Sequence, residues 1–252
     1  MAKHRFFLPQ DCFLNAAVRL PPSVQSQVKK VLRLAAGDEI DVLDGSGFVF
    51  HAQLVDSSDG NLAAEIIQRE HVPTEPGIHI TLMVALTQRE KFEWILQKCT
   101  EIGVSAFQPF ISSRTLIRKA DQPGKKQERW SNIVREAAEQ SGRGRIPQLM
   151  NTQSLEQCLA GAANAQMRVL AAWADRTQPD LGTVLSTQGN EENHIGLIIG
   201  PEGGFSFDEM CLMRAAAVQP FSLGSRTLRM ETAAILAPAL VLYELGDLRA
   251  SE

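Results

Sequence analysis

The sequence lacks any long hydrophobic run. Its most apolar stretch, Ala233 to Leu242, is interrupted by Pro238. It falls short of the ~18 residues that a membrane-spanning helix requires. The start, Met1-Ala2-Lys3-His4-Arg5 followed by Phe6-Phe7-Leu8-Pro9, has no apolar core of a secretory leader. No membrane association is therefore expected, and a cytoplasmic location is. Cysteine is scarce: Cys12, Cys99, Cys158 and Cys211 lie far apart with no CxxC spacing. That pattern favours buried thiols over disulfides or a zinc site. His4, His51, His71, His79 and His194 are scattered, and no HExxH, GxSxG or Cys–His arrangement occurs. Neither a metal site nor a hydrolase triad is expected. Positive charge is also wanting overall, with a net −4.

What is present is an ordinary globular composition, 44% hydrophobic and 21% charged over 252 residues. Such a chain holds one or two domains with a full core. The charge is unevenly spread. Lys3 to Arg33 carries six Lys/Arg against Asp11 alone, and Ser112 to Arg145 carries nine against four acids. Two basic stretches on an acidic chain fit either a polyanion-binding face or two solvated surfaces.

The hydrophobic period changes along the chain. Up to residue 72 it is mostly two. Arg5 to Leu8 reads as a strand. Pro22 and Ser23 open a short helix with Val24, Val28, Val31 and Leu32 apolar, ended by Gly37. Strands at Glu39–Leu43, Phe48–Val55 and Leu62–Ile67 follow, separated by turns at Asp44-Gly45-Ser46-Gly47 and Asp59-Gly60. A small β-barrel with one helix is expected over 1–72. The breaker-rich segment Pro73-Thr74-Glu75-Pro76-Gly77 places a linker at 73–78.

From 79 to 252, strands and helices alternate, which predicts a parallel α/β domain. Strands are expected at His79–Thr87, Val104–Phe110, Val169–Trp173, Ile195–Ile199 and Phe221–Leu223. Helices are expected at Glu90–Ile102, stopped by Gly103, at Glu128–Ser141, and at about Glu231–Leu245. Capping boxes at Ser154–Gln157 and Ser206–Glu209 open two more. The last helix is apolar almost all round, which calls for burial on several sides, and Pro238 should kink it.

Ligands of parallel sheets bind beyond the carboxyl ends of strands. Three loops there carry information. Gly200-Pro201-Glu202-Gly203-Gly204-Phe205-Ser206 lets backbone approach a ligand closely, yet lacks the lysine of a P-loop. Gly224-Ser225-Arg226-Thr227-Leu228-Arg229-Met230-Glu231 sets charges between a buried strand and an apolar helix, where they must be paired or used. The pairs Arg229–Glu231 or Arg226–Glu101 would serve the first need and substrate contact the second. Ala174-Asp175-Arg176 would share the same rim.

These residues carry a resemblance. The strings Arg5-Phe6-Phe7, Val31-Leu32-Arg33, Lys91 to Val104 (KFEWILQKCTEIGV), Glu139-Gln140-Ser141-Gly142-Arg143, Ile199 to Ser206 and Leu223 to Ala233 occur in this order along the whole chain. In this the chain resembles the bacterial 16S rRNA uracil-N(3) methyltransferases of the SPOUT (trefoil-knot) superfamily. The resemblance implies a PUA-like RNA-binding β-barrel at the amino end. It also implies a knotted carboxy-terminal domain that binds S-adenosylmethionine and pairs as a homodimer, with 16S rRNA or the small ribosomal subunit as partner.

On that reading Leu170, Gly200, Pro201, Glu202, Gly203, Gly204, Leu223, Gly224, Leu228 and Thr232 hold the cofactor. Arg229 stabilises charge on the uracil, with Glu231 or Glu101 orienting it or taking the proton. Arg5, Arg33, Arg114, Arg118, Arg143 and Arg145 contact phosphates. Two other classes stay open: a non-catalytic RNA-binding protein, and an α/β enzyme acting on a small nucleotide-like metabolite.

Overall fold

A computed structural model of the protein describes residues 4–57, 62–115, 123–175, 177–187 and 193–248. They cluster into two compact units, one of residues 1–75 with 138–146, the other of 76–137 with 147–252. The expected Asp59-Gly60 turn, Arg118 and Arg176 lie outside the described residues.

The first unit is a curled, largely antiparallel sheet. Its strands are β1 (Arg5–Phe7), β2 (Phe13–Leu14), β3 (Ala17–Arg19), β4 (Glu39–Leu43), β5 (Phe48–Asp56) and β6 (Leu62–His71). Their order is β1-β4-β5-β6-β3-β2, with only the β1–β4 pair parallel. No β1–β2 pairing closes it among the described residues, so the expected barrel is a half-barrel. Phe6, Val18, Leu20, Ile40, Val42, Ala52, Leu54 and Ala64 fill its concave side. The helix after Pro21 differs from expectation. A short α1 (Pro22–Ser26) runs on as a π-helix over Gln27–Leu32, and Arg33 closes it in the left-handed region at φ 58°. Widening the turn moves Val31 off the buried stripe, leaving it 71% exposed. Gly37 lies beyond that stop.

The first unit is completed by residues from the distant 138–146 segment. Ala138 packs with Phe7, Leu43, Val49 and Val72. Arg143, its side chain only 4% exposed, donates from Nη2 to Glu75 Oε2 at 2.8 Å. Glu75 Oε1 also accepts from the backbone N–H groups of Gly144 (2.9 Å) and Arg145 (3.1 Å).

The second unit is a seven-stranded, wholly parallel sheet. Strands β7 (His79–Ala85), β8 (Ala106–Ile111), β10 (Gln153–Ser154), β11 (Arg168–Ala172), β12 (His194–Ile199) and β13 (Gln219–Phe221) run in the order β10-β8-β7-β12-β11-β13, and β9 (Gln148–Leu149) also pairs with β8. The central strands β7 and β12 are buried beyond their first residues, His79 and His194, because helices cover the sheet, and this is why they read as unbroken apolar runs.

Helices α2 (Arg89–Ile102), α4 (Leu155–Asn164), α6 (Phe207–Ala215) and α7 (Met230–Glu244) match the predicted ones, and α3 (Pro123–Gln140) begins five residues before the expected Glu128. A further helix, α5 (Leu181–Ser186), was not signalled and is capped by Asp180. Both capping boxes form, and Gly103 ends α2 at φ 119°. From the edge strand β13 the chain returns across the sheet. Helix α7 packs on α2, β7 and β12. It is not enclosed on all sides. Ala234, Ala237, Val241 and Leu242 are buried. Ile235, Leu236 and Ala239 instead border an apolar groove with Trp94, which is 47% exposed.

Candidate active site

The loops that follow β11, β12 and β13 converge at the carboxyl edge of the sheet. Together they enclose a cleft of about 450 Å³, within the range of small-molecule sites. Gly200, Pro201, Glu202, Gly204, Leu223, Gly224 and Leu228 line it, as do Trp173 and Phe205. Two glycines are demanded by backbone shape: Gly204 at φ 69° and Gly224 at φ 102°. At Gly200 the demand is space. A Cβ there would lie 2.8 Å from the Phe205 ring. Trp173 Nε1 is buried without a hydrogen-bond partner in this wall, so a donor is left for an incoming acceptor.

One rim of the cleft is an ionic cluster. Glu202 Oε1 accepts from Thr87 Oγ1 at 2.6 Å and from Lys91 Nζ at 3.0 Å. Lys91 Nζ also lies 3.7 Å from Glu231 Oε2. Burial alone would raise the Glu202 carboxyl. The bonds from Thr87, its own backbone and Lys91, with the Lys91 charge, outweigh burial and hold it below the ordinary glutamate value. The hydrogen bond to Glu202 in turn raises Lys91. Glu231, with a side chain 9% exposed, sits in the first turn of α7 where the helix dipole favours an anion. Its Oε2 makes no hydrogen bond. Arg229 is the exposed residue just before α7, near enough to Lys91 to depress it by repulsion.

Lys91 and Thr87 were missed by sequence reasoning. The only local sign was a lysine in the first turn of a helix, where the dipole disfavours a cation without a partner.

Other predicted residues lie elsewhere. Leu170 is buried inside β11, beneath the cleft. Gly203 is absent from the cleft lining, and its carbonyl accepts from Arg114 Nη1 at 2.9 Å. Arg114 thus braces the glycine loop. Thr232 and Glu101 border the α2/α7 groove instead. Glu101 lies ten residues beyond Lys91 on α2, about 15 Å along the axis, and pairs with Lys98 at 2.8 Å. It does not reach the cleft. Neither of the pairs Arg229–Glu231 and Arg226–Glu101 forms: Glu231 faces Lys91, and Arg226 lines the cleft.

Among the remaining arginines, Arg33 and Arg145 are exposed. Arg5 lies against Gly142, where an added Cβ would be 2.9 Å from its Nη1. Arg143 is enclosed by its pairing with Glu75, which corrects its expected phosphate contact: a buried, paired guanidinium has no free face.

The decisive observation is the match to known families. Residues 74–242 match an RNA methyltransferase domain, and residues 28–67 match an RNA methyltransferase PUA domain. The chain belongs to the RNA methyltransferase family. The "Ribosomal RNA small subunit methyltransferase E" of Synechocystis is 36% identical over 97% of this chain and 78% of its own length. The protein of that name from Bacillus subtilis is 30% identical over 89% of each chain. A crystal structure of the Neisseria gonorrhoeae enzyme of that name, bound to S-adenosyl methionine, superposes with a TM-score of 0.85 at 30% identity, covering 96% of this chain and 98% of that one. The RNA methyltransferase domain therefore contains the whole glycine-lined cleft, and the PUA match falls in the half-barrel.

The hydrogen-bonded carboxylates of this methyltransferase predict its acid sensitivity. Glu75, Glu202 and Glu209 are each held below the ordinary glutamate value. In each, burial pushes upward and is outweighed by hydrogen bonds from Arg143, from Thr87 and Lys91, and from Ser206 and Ser113 respectively. A depressed carboxylate contributes its stability above its unfolded pKa of about 4.3 and loses it as pH falls through the lower folded value. Thermal unfolding followed from pH 7 to pH 3 should show Tm falling steeply only below about pH 4.3. A steady fall beginning near pH 6 would place the loss on other groups.

Proposed function

We propose that the protein transfers a methyl group from S-adenosylmethionine to N3 of a uridine in 16S rRNA of the small ribosomal subunit. The observation that carries this reading is the cleft. Three glycine-containing or polar loops meet at the carboxyl edge of a parallel sheet, within a domain of the RNA methyltransferase family. The cleft suits the cofactor: its walls are largely backbone and apolar side chain, and Trp173 Nε1 awaits an acceptor. Gly200, Pro201, Glu202, Gly204, Leu223, Gly224 and Leu228 would hold it. When bound, S-adenosylmethionine supplies an electrophilic methyl carbon on a sulfonium.

The protein's own task is to orient the uracil and remove the imide proton. Deprotonation leaves charge on the flanking carbonyl oxygens, and Arg229, exposed at the edge of the ionic cluster, is the cation that stabilises it. Glu231, held 3.7 Å from Lys91 Nζ in the first turn of α7, would take the proton once its carboxylate turns toward the substrate. Lys91 fixes Glu231 and Glu202 relative to each other. The apolar groove between α2 and α7, with Trp94, Ile235 and Leu236, would meet a second copy of the chain and give a homodimer. A cytoplasmic location belongs to the same reading.

The test is transfer of labelled methyl from S-adenosylmethionine to isolated 16S rRNA and to assembled small subunits, followed by digestion to nucleosides. Label in 3-methyluridine is the expected result. Label in another nucleoside overturns the N3 assignment. Arg229→Ala and Glu231→Gln should each lower the rate at least tenfold with cofactor binding kept. Full activity in either removes that residue from the chemistry. RNA binding without any transfer would favour a non-catalytic RNA-binding protein.

A further inference from the structure

Strand β6 contains an irregularity with consequences for its exposed face. Ala52 pairs with Ile66, whereas the preceding His51 pairs with Gln68. Ile67 is therefore an extra residue, a β-bulge. Before it, Leu62, Ala64 and Ile66 turn toward the core of the half-barrel. Strict alternation would send Gln68 and Glu70 to that same side. The bulge inverts the sequence, so that Arg69 and His71 come to the face shared by Phe48 and Phe50, opposite which they pair. Glu70 falls on the other face, where its Oε2 lies 3.4 Å from His51 Nε2.

The result is a row of rings at the open rim of the sheet. Phe13 and Phe50 have centroids 5.0 Å apart, and His71 meets Phe48 edge-on at 5.4 Å. Arg69 lies over Phe48, with its guanidinium carbon 3.8 Å from that ring's centroid and 5.5 Å from that of Phe50. Among the described residues no carboxylate pairs with Arg69, which is exposed. Arg145 adds a second cation beside Gly47, the residue before Phe48: its Nε would stand 3.3 Å from a Cβ at Gly47. The nearby acid, Asp44, is occupied by the N–H and hydroxyl of Ser46.

We infer that this rim is a stacking platform for an unpaired base of the RNA, with Arg69 sandwiched between Phe48 and the base and Arg145 meeting an adjacent phosphate. This rests on the reading of the protein as an RNA methyltransferase. An arginine stacked on an aromatic ring offers its outer plane to a nucleobase, and positive charge without a local acid complements the backbone. The bulge places this arginine, rather than Gln68 or Glu70, over the half-buried rings of Phe48 and Phe50.

The experiment uses the full chain and fluorescence anisotropy on two probes: a short single-stranded RNA of mixed sequence, and a fully base-paired RNA of the same length. Arg69→Ala is expected to weaken single-strand binding about tenfold and duplex binding much less. Arg69→Lys, which keeps the charge but not the plane, should recover only part. Phe48→Leu should weaken single-strand binding severalfold. Thermal unfolding of each variant reports whether the fold is kept, and Arg69 is exposed enough for its variants to retain it. Full recovery by Arg69→Lys, or equal loss on both probes, would make the contact one of charge alone and overturn the platform. Undiminished RNA binding by Arg69→Ala overturns it too, leaving the rim to a protein partner. Wild-type protein that binds S-adenosylmethionine but transfers no methyl to 16S rRNA or to assembled small subunits would sink the methyltransferase reading itself, a result distinct from the variant outcomes.

Discussion

Gly200→Ala should weaken S-adenosylmethionine binding about fiftyfold while leaving the chain folded. The added methyl would lie 2.8 Å from two atoms of the Phe205 ring, a distance that real Cβ contacts do not tolerate. The backbone at the end of β12 is fixed by its ladder with β7 and β11, so the ring must yield. Phe205 lines the cleft, and its displacement alters the space meant for the cofactor. Overpacking of this kind costs the fold about 1–3 kcal/mol, and a ring pushed into the cleft carries a cost of similar size over to cofactor binding. Titration calorimetry measures the affinity, and thermal unfolding confirms the fold. The double variant Gly200→Ala with Phe205→Leu should regain much of the loss, because the two changes share one contact. By contrast Gly203→Ala should bind nearly as wild type: a Cβ there meets Arg114 at an ordinary 3.5 Å. Unchanged affinity in Gly200→Ala would mean that the cofactor does not occupy this cleft.

The second large effect concerns stability. Arg143→Met removes one member of an ion pair whose side chains are 4% and 19% exposed. Glu75 would keep the backbone bonds from Gly144 and Arg145 but lose the guanidinium that balances its charge. Breaking a buried pair from one side costs about 3 kcal/mol. For a unit of this size that lowers its melting transition by roughly 15 °C. Differential scanning calorimetry would resolve the transition of the first unit. Arg143→Met together with Glu75→Gln should recover part of the loss, since the stranded charge is removed as well. A transition unmoved by Arg143→Met would show that the pair is solvated in solution and return Arg143 to the pool of arginines free to meet phosphate.

What the sequence reveals of this molecule follows the range of the interactions. Signals that act within one helical turn are legible. Ser154 with Gln157, and Ser206 with Glu209, announce their helix starts because donor and acceptor lie three residues apart. Gly103 announces the end of α2 for the same reason. The buried strands are legible from unbroken apolar runs, and the cleft from loops that such strands project. Helix α5 is too short to show a period. The π-helical widening near Val28 is invisible, because it depends on packing rather than on residue type. Long-range pairings are equally silent. Lys91 and Glu202 are 111 residues apart, and Glu75 and Arg143 are 68 apart. Each looks like an ordinary surface charge until the fold brings its partner. Glu101 misleads in the opposite way: it lies in the Lys91–Val104 string that carries the resemblance, yet Lys98 three residues earlier is its ion-pair partner.

The joining of Glu75 to residues 143–145 has a genetic corollary. The half-barrel is not encoded by one continuous stretch of the gene. A fragment cut at the proline-rich junction would carry the carboxylate but not its guanidinium, and the apolar cluster of Phe7 and Val49 without Ala138. Shuffling of this module between proteins by simple end-to-end fusion is thereby disfavoured, and the two units are constrained to be inherited as one reading frame.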